Sequence, residues 1–91
     1  MRDIHRDLEK MRFLLRQKIT YSDFTQREVD LQCGWSPGSL SQLLQGRKAL
    51  RVESVLQVLD VLGIEPGRFY AELYGSDGPA NAYRFLDGAG K

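Results

Sequence analysis

The chain has 91 residues, 42% of them hydrophobic and 27% charged, with a formal net charge of +1. That length holds one small core and not two, and the near-neutral charge decides nothing about nucleic acid by itself. The single cysteine, Cys33, excludes an internal disulfide and a cysteine-rich zinc site. Basic residues are in excess over residues 1–51 and acidic residues over 52–91.

Ile4, Leu8, Met11 and Leu15 recur at helical spacing, which predicts a first helix over about residues 3–18. Phe13 points away from that stripe and is either partly exposed or set against a partner chain. The run Arg12, Arg16, Lys18 reads as a solvated face in preference to a DNA-backbone contact. His5 has no second ligand at metal spacing, so no metal and no cofactor is expected.

A second helix is announced by Thr25 followed by Glu28, a capping box, with Phe24 and Val29 placed to close a hydrophobic staple over it. Gly34 supplies the left-handed residue that ends it. Cys33, just before that glycine, reads as a small buried residue rather than a redox sensor. Ser36 is then expected as the next N-cap, with Pro37 at the first helical position, Trp35 and Leu40 as a second staple, and Gly46 as the end. Two capped helices around Gly34-Trp35-Ser36 predict a helix-turn-helix by spacing alone. Trp35 either packs under both helices or stacks on a sugar-phosphate chain.

The third helix, about residues 36–45, has two unlike faces. Leu40, Leu43 and Leu44 share one stripe, while Gly38, Ser41, Gln42 and Gln45 lie opposite, with Ser39 on a flank. The outer face carries no charge. Its glutamine amides match the N6/N7 edge of adenine, and its serines donate or accept. Arg47, Lys48 and Arg51 follow, where cations hold phosphates without reading sequence.

The fourth helix, about residues 51–62, is expected to bury Val52, Val55, Leu56, Leu59 and Leu62, to leave Val58 and Val61 toward the rear, and to stop at Gly63. The fifth starts at Pro66, carries Phe69, Tyr70, Leu73 and Tyr74, and ends at Gly75. Val58, Val61, Tyr70 and Tyr74 form either a subunit interface or the edge of the core. Residues 1–74 are expected as one domain and 75–91 as a Gly-containing tail. Within the tail, Ala82 to Leu86, with Tyr83 and Phe85, is too apolar for idle linker and is expected to dock on its own domain, a second subunit or another protein.

Residues 8–74 resemble the Cro/repressor-like helix-turn-helix family, also called the XRE family. Thr25, Gln26, Val29, Gly34, Ser36, Leu40, Gly46, Arg47 and Lys48 fill its pattern in order. Residues 52–56 look like its fourth helix; Leu62-Gly63-Ile64 and Phe69 look like its closing apolar anchors. The resemblance implies an all-α, lambda-repressor-like bundle of five compact helices that binds double-stranded operator DNA, usually as a homodimer. It puts Gln26 on phosphate, Pro37, Gly38, Ser41 and Gln42 in base-facing slots, and Lys48 on the backbone. Four features depart from the pattern. Asp30 stands where a small residue, usually Ala, is common. Leu44 stands where a Glu often pairs with a first-helix Arg, here Arg16. Pro37 and Gly38 replace long polar readers, and residues 18–23 look longer than the usual first turn.

These readings predict a DNA-binding transcriptional regulator of repressor type with α-helical reading of the major groove. Ser41 and Gln42 touch base edges, Pro37 meets a thymine methyl, and Ser39 reaches base or phosphate. Amides at the helix starts near Thr25 and Ser36 are expected to meet phosphates. The alternative is a protein-interaction module of the same fold, such as an antitoxin or a domain that docks on a transcription component. An enzyme is not expected: no paired carboxylates, Ser/His/Asp set, Gly-rich phosphate loop or metal cluster is present. No run approaches the ~20 apolar residues that span a bilayer, and no secretory leader is visible, so the expected location is cytoplasmic.

Overall fold

The computed structural model describes residues 3–75. Five helices follow one another: α1 (Ile4–Thr20), α2 (Gln26–Cys33), α3 (Ser39–Gln45), α4 (Val52–Leu62) and α5 (Pro66–Gly75). No strand occurs among the described residues. α3 packs against α1 and α2, α4 against the same two helices, and α5 against α1. α1 therefore carries α3, α4 and α5, and α2 is held through α3 and α4.

Local chemistry explains each boundary. Asp3 caps α1, its carboxylate accepting from the Arg6 amide. α1 runs to Thr20, past the expected stop, and is closed by Ser22, whose hydroxyl donates to the Ile19 carbonyl at 2.7 Å and accepts from the Phe24 amide at 3.0 Å. The apparent extra length at residues 18–23 is thus partly helix. At α2 both halves of the capping box form: Thr25 Oγ1 accepts from the Glu28 amide (3.1 Å) and Glu28 Oε1 from the Thr25 amide (2.8 Å).

The core is Leu14, Leu15, Ile19, Val29, Leu40, Leu44, Val55, Val58, Leu59, Phe69 and Leu73, with Phe24, Trp35 and Cys33 packed against it. Phe69, fully buried, is its largest member. Fully burying one such side chain is worth about 1.5–3 kcal/mol.

Two apolar faces differ from the expectation. Ile4 begins the α1 stripe but is exposed, because the bundle meets that helix only further along; Leu14 and Ile19 are buried instead. In α4 the buried face is Val55, Val58 and Leu59, while Val52 and Leu56 are exposed. Val58 is 1% exposed and belongs to the core, so it is withdrawn as an interface residue. Val61 and Tyr70 are half-buried against the core and Tyr74 is partly exposed; Tyr70 stands edge-on to Phe69 with ring centroids 5.4 Å apart. Tyr83 and Phe85 lie outside the described residues, as does the tail beyond Gly75.

Candidate nucleic-acid interface

α2 ends as its glycine requires. Gly34 adopts φ +74°, its amide donates to the Leu31 carbonyl, and the Trp35 amide donates to the Asp30 carbonyl at 2.8 Å. This is the paired closure of a Schellman turn. It swings the chain back so that α3 lies across α2.

The start of α3 differs from the expectation. Ser36 is not its cap and Pro37 is not its first residue; the helix begins at Ser39 and its N-cap is Gly38. Residues 36–39 form a turn closed by the Ser39 amide donating to the Ser36 carbonyl at 3.1 Å. Gly38 sits at φ +88°, ψ −5°, the geometry of the third residue of a type II turn, and proline is favoured just before it. Pro-Gly therefore makes a turn where a helix start was expected.

The capping oxygens come from α2 instead. Asp30, 3% exposed, uses Oδ2 to accept from the Gly38 amide and Oδ1 to accept from the Leu40 amide, both at 2.9 Å. A carboxylate in the slot of a small residue would be costly if unpaired. Here both oxygens are satisfied by amides at the positive end of a helix. These α3 amides are consequently occupied within the chain, which corrects the expectation that they meet phosphate.

α1 holds the other end. Arg12, buried, donates from Nε to the Leu43 carbonyl at 2.9 Å and from Nη1 to Glu9 at 3.0 Å. Arg16 donates from Nη2 to the Leu44 carbonyl at 3.3 Å, so it finds a backbone partner in place of the missing Glu. Lys18 pairs with Glu72 of α5 at 2.7 Å. Arg12, Arg16 and Lys18 are thus neither a simple solvated face nor a row of free phosphate ligands.

Between these ends Leu40, Leu43 and Leu44 are buried, whereas Gln42 and Gln45 are exposed. Ser41 is half-buried and accepts from Gln45 Nε2 at 3.1 Å. Ser36, Pro37 and Gly38 form the exposed lip ahead of the helix. Ser39 is buried to 9% exposure, so it does not stand out as a free reader or phosphate ligand. It lines an open cleft of about 500 Å³ with Trp35, Ser36, Lys48, Arg51 and Ser54. Trp35 is half-buried, packed against the core and lining the cleft. Arg47, Lys48 and Arg51 are exposed and pair with no acidic group among the described residues. Thr25 and Gln26 are exposed at the start of α2.

Sequence reasoning missed Asp30 and Arg12 as the groups that hold α3. The available signal was a charged residue in each of two slots that an apolar packing pattern assigns to the interior. Burial pushes the neighbouring Cys33 thiol up from its ordinary value, with Asp30 and then Asp60 adding to the effect.

No group of side chains among the described residues is arranged to hold a metal ion, and no described helix is long and apolar enough to cross a membrane. The sequence matches the helix-turn-helix family over residues 15–69. No curated protein and no solved structure matches. The matched segment runs from the second half of α1 to Phe69 and covers more than half of the chain, with the two helices and their turn at its centre. The chain belongs to the Cro/repressor-like, or XRE, helix-turn-helix family of DNA-binding proteins.

Proposed function

We propose that this chain is a sequence-specific transcriptional regulator of repressor type, acting on DNA in the cytoplasm. The reading is carried by one observation. α3 buries its leucines, turns Gln42 and Gln45 outward, and is flanked by the cations Arg47, Lys48 and Arg51, which pair with no acidic group among the described residues. A short helix with an uncharged amide face beside a cationic rim suits the floor and walls of the major groove.

Pro37, Gly38, Ser41 and Gln42 are assigned to bases. The amide of Gln42 is the best equipped of these, because Ser41 already accepts a bond from Gln45. Thr25, Gln26, Ser36, Arg47, Lys48 and Arg51 are assigned to phosphates, and the cleft between Trp35 and Arg51 offers room for a sugar-phosphate segment. Gln26 stands in the first turn of α2, where the helix dipole favours an anion. A homodimer built on Val61, Tyr70 and Tyr74 would place two α3 helices about 34 Å apart, one DNA turn, and would favour a palindromic operator. With short residues on the lip, part of the discrimination would come from DNA shape.

Selection of bound duplexes from a random pool, followed by titration of random duplex at rising salt, tests this. Enrichment of a palindromic motif, with affinity that falls steeply as salt increases, is the expected outcome. Absence of salt-dependent duplex binding would replace this reading with the protein-interaction module.

A further inference from the structure

We propose that Asp30 is the positioning residue that sets the register of α3 on DNA, an inference that rests on α3 being the reading helix. α3 has seven residues, far too few to persist as a helix by itself. Its direction and rotation are therefore set by what grips its ends. Asp30 grips the first end through two bonds of 2.9 Å, one to the turn at Gly38 and one to the helix at Leu40. A single buried side chain thus ties α2, the turn and α3 into one body. Arg12 and Arg16 of α1 grip the last turn through the Leu43 and Leu44 carbonyls. The anion lies at the positive end of the helix and the cations at its negative end, so both grips follow the helix dipole.

This arrangement has a consequence for recognition. One residue of rotation in a helix is about 100°. Loosening the Asp30 grip lets α3 turn or slide, and the Gln42 amide leaves the position from which it addresses a base edge. Of the residues assigned to phosphate, Thr25, Gln26, Arg47, Lys48 and Arg51 make no hydrogen bond to the Asp30 side chain; Ser36 alone lies in the turn that it holds. Asp30 also occupies the Gly38 amide of the exposed lip Ser36-Pro37-Gly38, where phosphate would otherwise find a free donor. Discrimination between sequences and general affinity for DNA should therefore separate when Asp30 is changed.

The test compares the natural chain with Asp30→Asn, whose amide cannot accept both backbone bonds through two oxygens. Asp30→Glu is the second variant, keeping charge and both acceptors on a longer stem. Leu73→Val, a core change on α5, which packs on α1, serves as the destabilised control. Two quantities are read: the affinity ratio for the selected motif over random duplex, and amide hydrogen exchange at Gly38 and Leu40. The expected result for Asp30→Asn and Asp30→Glu is a ratio lowered by about tenfold, the scale of one lost base contact. Affinity for random duplex stays unchanged or rises in Asp30→Asn, and the two amides exchange faster while core amides of α1 and α4 do not. Leu73→Val leaves the ratio intact. An unchanged ratio, or specific and random affinity falling together as in the control, overturns the proposal. If the natural chain selects no motif, the regulator reading fails separately. Exchange then decides: natural-chain amides at Gly38 and Leu40 as unprotected as those of an exposed loop overturn the Asp30 anchor, and protected ones uphold it.

Discussion

Gln42, in the middle of α3, and Lys48, just after its end, are both exposed, yet they are expected to fail in different ways. Gln42 offers a bidentate amide and no charge. Gln42→Ala should lower discrimination at one base pair by about 1–3 kcal/mol and leave binding to random duplex intact. Lys48 offers a charge and no pattern. Lys48→Ala should weaken every duplex alike and reduce the salt slope by about one. Titration of a panel of operator variants at several salt concentrations separates the two, and identical behaviour of both substitutions would contradict the assignment. Asp30 shows how much one residue matters. The same position with a small apolar side chain would leave the turn at Gly38 to close by its own hydrogen bond alone.

At the scale of elements, α3 is a helix held from outside. Its neighbours supply the leucine pocket, the N-terminal carboxylate and the C-terminal guanidiniums, and its own sequence supplies little beyond amphipathicity. Arg12 and Arg16 perform related tasks with different weight. Arg12 is buried and its bond to the Leu43 carbonyl is 2.9 Å; Arg16 is exposed and its bond to the Leu44 carbonyl is 3.3 Å. Arg12→Met should therefore cost about 1–3 kcal/mol, the charge-assisted bond and the stranded carbonyl together. Arg16→Met, measured in the same urea unfolding series, should cost less than about 1 kcal/mol. The reverse order would mean that the buried guanidinium contributes packing but no net polar stabilisation. The ends of α2, α3 and α4 share one closure, in which the residue after the glycine donates back across the last turn: Trp35 to Asp30, Arg47 to Gln42 and Ile64 to Leu59. That repetition gives three sharp corners and makes a bundle of short helices possible.

For the whole molecule, the described residues form one body, and two of its titrating groups, Cys33 and Tyr70, couple to that packing. Cys33 and Tyr70 both have raised pKa values, Cys33 from 9.0 through burial, then Asp30 and Asp60, and Tyr70 from 10.0 through burial, then Tyr74. Each is an acid whose folded form resists losing its proton more than the unfolded form does. The stability this contributes is fully present below the ordinary values and is lost as pH rises through the raised ones. Denaturation midpoints should hold through neutral pH and decline above about pH 9, first through Cys33 and then through Tyr70. Cys33→Ser should remove the earlier part of that decline. A midpoint that stays flat to pH 11 in the natural chain would show that neither group is coupled to folding.

The positions that punctuate this chain were legible in its sequence because their physics is local. Thr25 with Glu28, and Gly34, Gly46, Gly63 and Pro66, act on amides and carbonyls within a few residues. The five helices and the leucine side of α3 were readable from those positions and from periodicity. The buried face of α4 was not, because apolar residues nearly encircle that helix and periodicity cannot choose between Val52 with Leu56 and Val58. Contact with α1 and α2 chose Val58. The start of α3 was misplaced for a related reason. Ser36-Pro37 is a sound helix opening in isolation, but the carboxylate of Asp30 reaches the Gly38 and Leu40 amides only after α2 has folded back beside them. Sequence alone determined where α2, α3 and α4 end and which family the chain belongs to. Tertiary structure decided which charges are spent inside the protein and which stay exposed, since that depends on partners 8 to 31 residues away in the chain.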